Sequence, residues 1–128
     1  MKKLETAMIA TIREAISDPY TDGQQFKKGN TVVFCYGSGV VGTPNFTRWI
    51  EVILCDTVIA LIHPDTGRLT LYTGGFQTAT TISRLNAILE SLSNGLYVYR
   101  KNGELTVGKG GYRYDSFHEG YPVTLWLA

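Results

Sequence analysis

The sequence predicts an α+β domain: a twisted antiparallel sheet of five or six strands with two helices packed on one face. Three observations lead there. Two segments carry apolar residues at three-to-four spacing, while several others carry alternating or β-branched runs. The gaps between the strand-like runs are hairpin-length, which antiparallel strands accept and parallel strands do not. Glycine is abundant, at 14 of 128 residues, and charged residues make up only 18%, a balance that favours sheet and turn over a helical bundle.

Residues 1–18 form the first helix. Leu4, Met8, Ile12 and Ala15/Ile16 recur on one face, Lys3, Glu5, Arg13 and Glu14 fill the others, and Asp18-Pro19 ends the run. Residues 19–30 are polar and turn-rich. Region 31–72 holds four strands, over 31–36, 47–54, 57–63 and 68–72. In the second, Ile50, Val52 and Leu54 alternate with Trp49, Glu51 and Ile53, giving one aliphatic face and one mixed face. Pro64-Asp65-Thr66-Gly67 joins the third strand to the fourth: Pro64 presets φ, and Gly67 tolerates the left-handed conformation.

Gly74-Gly75 then breaks the sheet. The second helix covers 79–94, with hydroxyl caps ahead of it, a stripe of Ile82, Leu85, Ile88, Leu89 and Leu92, and Asn94-Gly95 as its stop. Segment 96–107 is a hairpin about Asn102-Gly103, since a type I′ turn needs positive φ at both central residues. Residues 109–120 read as a Gly- and Tyr-rich loop, and 123–127 as a short closing strand. With no repeat, linker or low-complexity tract, the chain reads as one domain over 1–128. A chain of that length buries about two-thirds of its unfolded surface.

The totals exclude several classes. Twelve basic and eleven acidic side chains leave a net charge of +1, so no global field draws the protein to nucleic acid or membrane. No apolar run approaches the ~20 residues that span a bilayer. The start, Met1-Lys2-Lys3-Leu4-Glu5, lacks the apolar stretch of a signal peptide, which predicts a cytoplasmic protein. Cys35 and Cys55 read as buried thiols of a reducing compartment. Together with His63 and His118 they lack the short spacings of a structural zinc site, so no metal and no cofactor is predicted.

Gly37-Ser38-Gly39-Val40-Val41-Gly42 spells G-x-G-x-x-G after an apolar run. A dinucleotide fingerprint works by handing a pyrophosphate to a helix N-terminus. Here Pro44 and the strand-like 47–54 follow instead, and no kinase signature lies downstream. The glycines therefore read as a bend between strands. No catalytic set assembles either. His63 and His118 lie in turns, and Asp56, Asp65, Asp115 and Glu119 are scattered through turns where Asp serves turn chemistry. The chain is predicted not to be an enzyme.

Two constellations are candidates for binding. The first is Tyr97, Tyr99, Lys101, Tyr112, Arg113 and Tyr114, where tyrosines interleave with cations and Glu104 is the only acid within 96–113. Tyrosine and arginine anchor protein interfaces, and the same mixture stacks on single-stranded bases. The second is the start of the second helix. There Thr78, Thr80, Thr81 and Arg84 gather hydroxyls, free N–H groups and a cation that suit a phosphate or carboxylate. The alternative is structural: the threonines cap the helix and Arg84 pairs with a neighbouring acid.

Ile59-Ala60, Leu69-Thr70-Leu71 and the run from Gly75 through Thr80-Thr81-Ile82-Ser83-Arg84-Leu85-Asn86 to Leu89 resemble a family of small, functionally uncharacterised bacteriophage proteins. The shared pattern is Gly-aromatic-x-Thr-x-Thr-Thr followed by Arg-Leu-Asn and a leucine-rich helix. The resemblance covers residues 48–107, and Phe117-His118-Glu119-Gly120 is similar to a later piece of it. The first helix and the Gly37–Gly42 bend lie outside. The resemblance implies a phage origin and action in the host cytoplasm, and it supplies no catalytic residues. Asn86, off the apolar stripe, is expected to bridge the helix to the 74–78 turn. The expected function is that of a non-enzymatic phage accessory protein that binds a host or phage protein, with inhibition of a host defence system as one outcome. A single-stranded nucleic-acid binder and an anion or nucleotide pocket are the alternatives. No membrane partner is expected, and the residues assign no oligomeric state.

Overall fold

The computed structural model describes residues 1–75 and 77–128. Phe76, the aromatic of the Gly-aromatic segment, lies outside the described residues. The elements in chain order are α1 (Lys3–Ser17), β1 (Gly23–Lys28), β2 (Thr31–Ser38), β3 (Thr47–Leu54), β4 (Thr57–His63), β5 (Arg68–Leu71), α2 (Ala79–Leu92), β6 (Tyr97–Lys101), β7 (Glu104–Lys109), β8 (Tyr112–Ser116) and β9 (Val123–Trp126). The fold is α+β. Six strands form an antiparallel sheet in the order β1-β2-β3-β4-β5-β9, and β6-β7-β8 form a second, three-stranded sheet.

The second sheet and two of the strands go beyond what the sequence predicts. β1 lies in the polar 19–30 stretch and β8 in the Gly- and Tyr-rich loop. Both are edge strands, which need little apolar content and tolerate lysine. In β1 only Gly23 and Phe26 are half-buried, and in β8 only Ser116 is buried.

The register sorts the large sheet into two faces. Val33 faces Val52, Cys35 faces Ile50, Ile62 faces Leu69, and Leu71 faces Val123. These residues are buried in one cluster with Met8, Ile9 and Ile12 of α1 and Leu85, Ile88 and Leu89 of α2. Each large aliphatic side chain buried this way stabilises the fold by roughly 1.5–3 kcal/mol. Both helices therefore cover the aliphatic face and leave the opposite face of the large sheet without one.

Polar side chains fix how the elements meet. Arg48 of β3 donates to the carbonyls of Ala15 (2.9 Å), Ile16 (2.6 Å) and Asp18 (2.7 Å), capping the C-terminal end of α1, which has no glycine stop. Glu5, 2% exposed, accepts from the Lys2 N–H (3.1 Å), the Ser83 hydroxyl (2.5 Å) and Arg84 Nη1 (2.8 Å), so α1 is pinned to the first turn of α2. Asn86 does not bridge to the 74–78 turn. Its amide Oδ1 accepts the Val98 N–H (2.6 Å), and its Nδ2 donates to the Val98 carbonyl (3.1 Å). The side chain stands in for a neighbouring strand at the free edge of β6 and fastens the small sheet to α2.

Candidate functional site

The Gly37–Gly42 bend has a steric explanation. A Cβ at Gly37 would lie 2.9 Å from the Phe46 ring, so the missing side chain is the seat of that ring. Gly39 (φ +97°) passes so close to Asn45 that a Cβ would lie 2.8 Å from its carbonyl oxygen, and Gly42 turns at φ +87°. The chain continues into β3, with no helix to receive a phosphate. Among the described residues, no group of three or more His, Cys, Asp or Glu side chains converges.

At the start of α2, Thr78 Oγ1 accepts the Thr81 N–H (3.2 Å), and the two hydroxyls lie 3.0 Å apart. Thr80 is exposed. Arg84, one turn in, is paired with Glu5, and its Nε donates to Thr31 Oγ1 (3.2 Å). Burial alone would raise the Glu5 pKa, but the Ser83, Lys2 and Arg84 donors outweigh it and hold the carboxyl below its ordinary value. Thr78, Thr80, Thr81 and Arg84 meet at a cavity of about 450 Å³, completed by Leu4 of α1, Leu54, Ile59, the Gly29–Thr31 corner and the Cys55 turn.

The six residues of the tyrosine-rich segment divide. Tyr97, Tyr99 and Lys101 alternate along β6, and Arg113 joins them through its pairing with Gly108. The Tyr97 and Tyr99 rings are 5.4 Å apart. Gly108 has no room for a side chain: a Cβ there would run into the Tyr112 carbonyl oxygen first, and the Tyr99 ring lies 3.0 Å from the same point. Tyr112 sits 82% exposed at the start of β8. Tyr114 is the bulged residue between the Asp115 and Arg113 pairings, and its hydroxyl donates to the Thr124 carbonyl of β9 (3.1 Å). It leaves the tyrosine face and reaches the large sheet.

A third surface follows from the register. On the helix-free face, Tyr36 of β2 faces Trp49 of β3, His63 of β4 faces Arg68 of β5, and Arg68 faces Trp126 of β9. Tyr36 stacks on Trp49 with ring centroids 5.2 Å apart, Trp49 meets His63 edge-on at 5.9 Å, and Phe34 lies 6.2 Å from Tyr36. One row of aromatic rings and an arginine thus crosses five strands. Burial and the Glu51 carboxylate beside it push the Tyr36 phenol up to about 12, so it stays a neutral donor. Burial and the neighbouring Arg68 charge lower the His63 pKa against the pull of Asp65, which favours the neutral ring. The sequence signalled this face only through the alternation of Trp49 and Glu51 with aliphatic residues in β3.

A family model described as Kyanoviridae Gp96 protein matches residues 1–124. The chain belongs to the Kyanoviridae Gp96 family. It is therefore a member of a phage protein family, and the match takes in α1 and the glycine bend as well as the segment from β3 to β7. No curated protein and no solved structure matches this Gp96 chain. No helix among its described residues is long and apolar enough to cross a membrane.

Proposed function

We propose that this Gp96-family protein is a non-enzymatic phage accessory protein that acts by binding a host or phage protein, and that it does so through the helix-free face of the large sheet. The row Tyr36–Trp49–His63–Arg68–Trp126 carries the reading. Aromatic residues and arginine are the side chains that anchor protein interfaces. Trp126 is 63% exposed and Phe34 is 38% exposed. Arg68 and Lys27 stand on this face against Glu51, an excess of a single positive charge and too little for the field a phosphate backbone requires. Tyr36 and Trp49 each spend one ring face on the other. A host defence protein is one class of partner within this reading.

The experiment compares capture from infected host lysate by the wild-type chain, by Arg68→Glu/Trp126→Glu, and by Tyr99→Ala/Lys101→Glu, each first shown to melt cooperatively. A partner held by the wild-type chain and by the small-sheet variant should be lost at least tenfold by the large-sheet variant, as for interface anchors worth about 2 kcal/mol. Equal capture by all three removes the large-sheet face from the function. Oligonucleotide binding that falls steeply with salt and with Tyr99→Ala would move the function to the small sheet and its Tyr97, Tyr99, Lys101 and Arg113 face.

A further inference from the structure

We propose that the cavity between the N-terminal ends of α1 and α2 binds a small organic carboxylate with a compact apolar body. Its volume, about 450 Å³, falls within the range of sites that enclose small molecules. Leu4, Leu54 and Ile59 form apolar wall. Ile59 reaches it through a β-bulge: Val52 pairs with Ala60 and Ile53 with Val58, which leaves Ile59 as the extra residue, turned to the core side.

The polar end has unspent donors. Arg84 is 9% exposed and lines the cavity; Nε and Nη1 serve Thr31 and Glu5, and Nη2 has no hydrogen bond among the described residues. The Thr78 cap satisfies the Thr81 N–H, but the N–H groups of Ala79 and Thr80 have no partner within the helix. They carry the positive end of the α2 dipole, equivalent to about half a unit charge.

The charge selects the class of ligand. Glu5 already balances Arg84, so the site offers a helix end and spare donors rather than a free cation. One carboxylate matches that supply, whereas a dianionic phosphate would set a second charge against Glu5. The apolar wall disfavours a fully hydrated ion and rewards an alkyl or aryl body. The site is remote from the aromatic row on the opposite face of the large sheet, so its test is independent of partner capture.

The test is an amide chemical-shift titration of the full chain with three probes: benzoate, benzyl alcohol and acetate. Benzoate should shift the Thr31, Cys55, Ala79 and Thr80 amides saturably, and the other two should bind at least tenfold more weakly. Thr80→Glu, at an exposed position, should weaken benzoate at least fivefold while leaving the spectrum away from the cavity unchanged. Absence of a saturable benzoate response at those amides overturns the proposal. So does a benzyl alcohol response equal to that of benzoate, which would mark a merely apolar hole, an equal acetate response, or unchanged benzoate binding by Thr80→Glu.

Discussion

Glu5 shows how a single residue carries a pH dependence. Its folded pKa lies below the ordinary 4.5, because the Ser83, Lys2 and Arg84 donors outweigh the cost of burial. The stability this contributes is fully present above the unfolded pKa and is lost as the pH falls through the lowered folded value. Denaturant midpoints measured from pH 7 down to pH 3 should fall, and Glu5→Gln should flatten that fall while lowering the midpoint at pH 7. Equal slopes for both proteins would show that Glu5 is not the group responsible. Glu5→Ala leaves Arg84 buried without its counter-ion and should cost about 3–5 kcal/mol. At this scale the sequence was partly readable. Pairing Arg84 with an acid is ordinary helix chemistry, but the acid sits 79 residues away, and only the packing of α1 on α2 identifies it. Arg48 was unreadable for the same reason: a lone arginine in an aliphatic strand gives no sign that the carbonyls of Ala15 and Ile16 lie beside it.

Among the elements, hairpins declared themselves where the turn chemistry was orthodox. Asn102 (φ +53°) and Gly103 (φ +77°) occupy the positive-φ positions that this pair favours. The β3–β4 turn uses the same conformation with Cys55 (φ +50°) and Asp56 (φ +63°). Cysteine has no preference for that region, so the turn carried no local signature, and its location followed only from the runs on either side. Holding non-glycine residues there costs about 1 kcal/mol or more. Replacing the pair by Cys55→Asn with Asp56→Gly should therefore raise stability by about 1 kcal/mol, read as a melting temperature higher by about 3–5 °C. A lower melting temperature would mean that Cys55 makes contacts worth more than the strain. The edge strands β1 and β8 escaped the pattern because half-exposed, polar strands lack the alternation that marks central ones.

Across the whole molecule, two sheets share one core but are fastened differently. The large sheet is covered along its aliphatic face by both helices, whereas the small sheet meets α2 at the Asn86 clamp and through Val98, Leu105 and Val107. Asn86→Ala strands two backbone groups at roughly 1–3 kcal/mol each. Hydrogen exchange should then quicken by about 30-fold or more at the Tyr99 and Thr106 amides, with Val33 and Val52 in the large sheet unchanged. Uniform acceleration across both sheets would show that they open as one unit. The aromatic row was not legible because its members at 36, 49, 63, 68 and 126 become neighbours only once five strands are in register. The Arg48 cap bears on the order of events during synthesis. Residues 3–17 leave the ribosome well before residue 48, yet the carbonyls at the end of their helix are satisfied from β3. On the nascent chain those carbonyls are left to water until β3 emerges, so the native cap of α1 can close only after the third strand has been made.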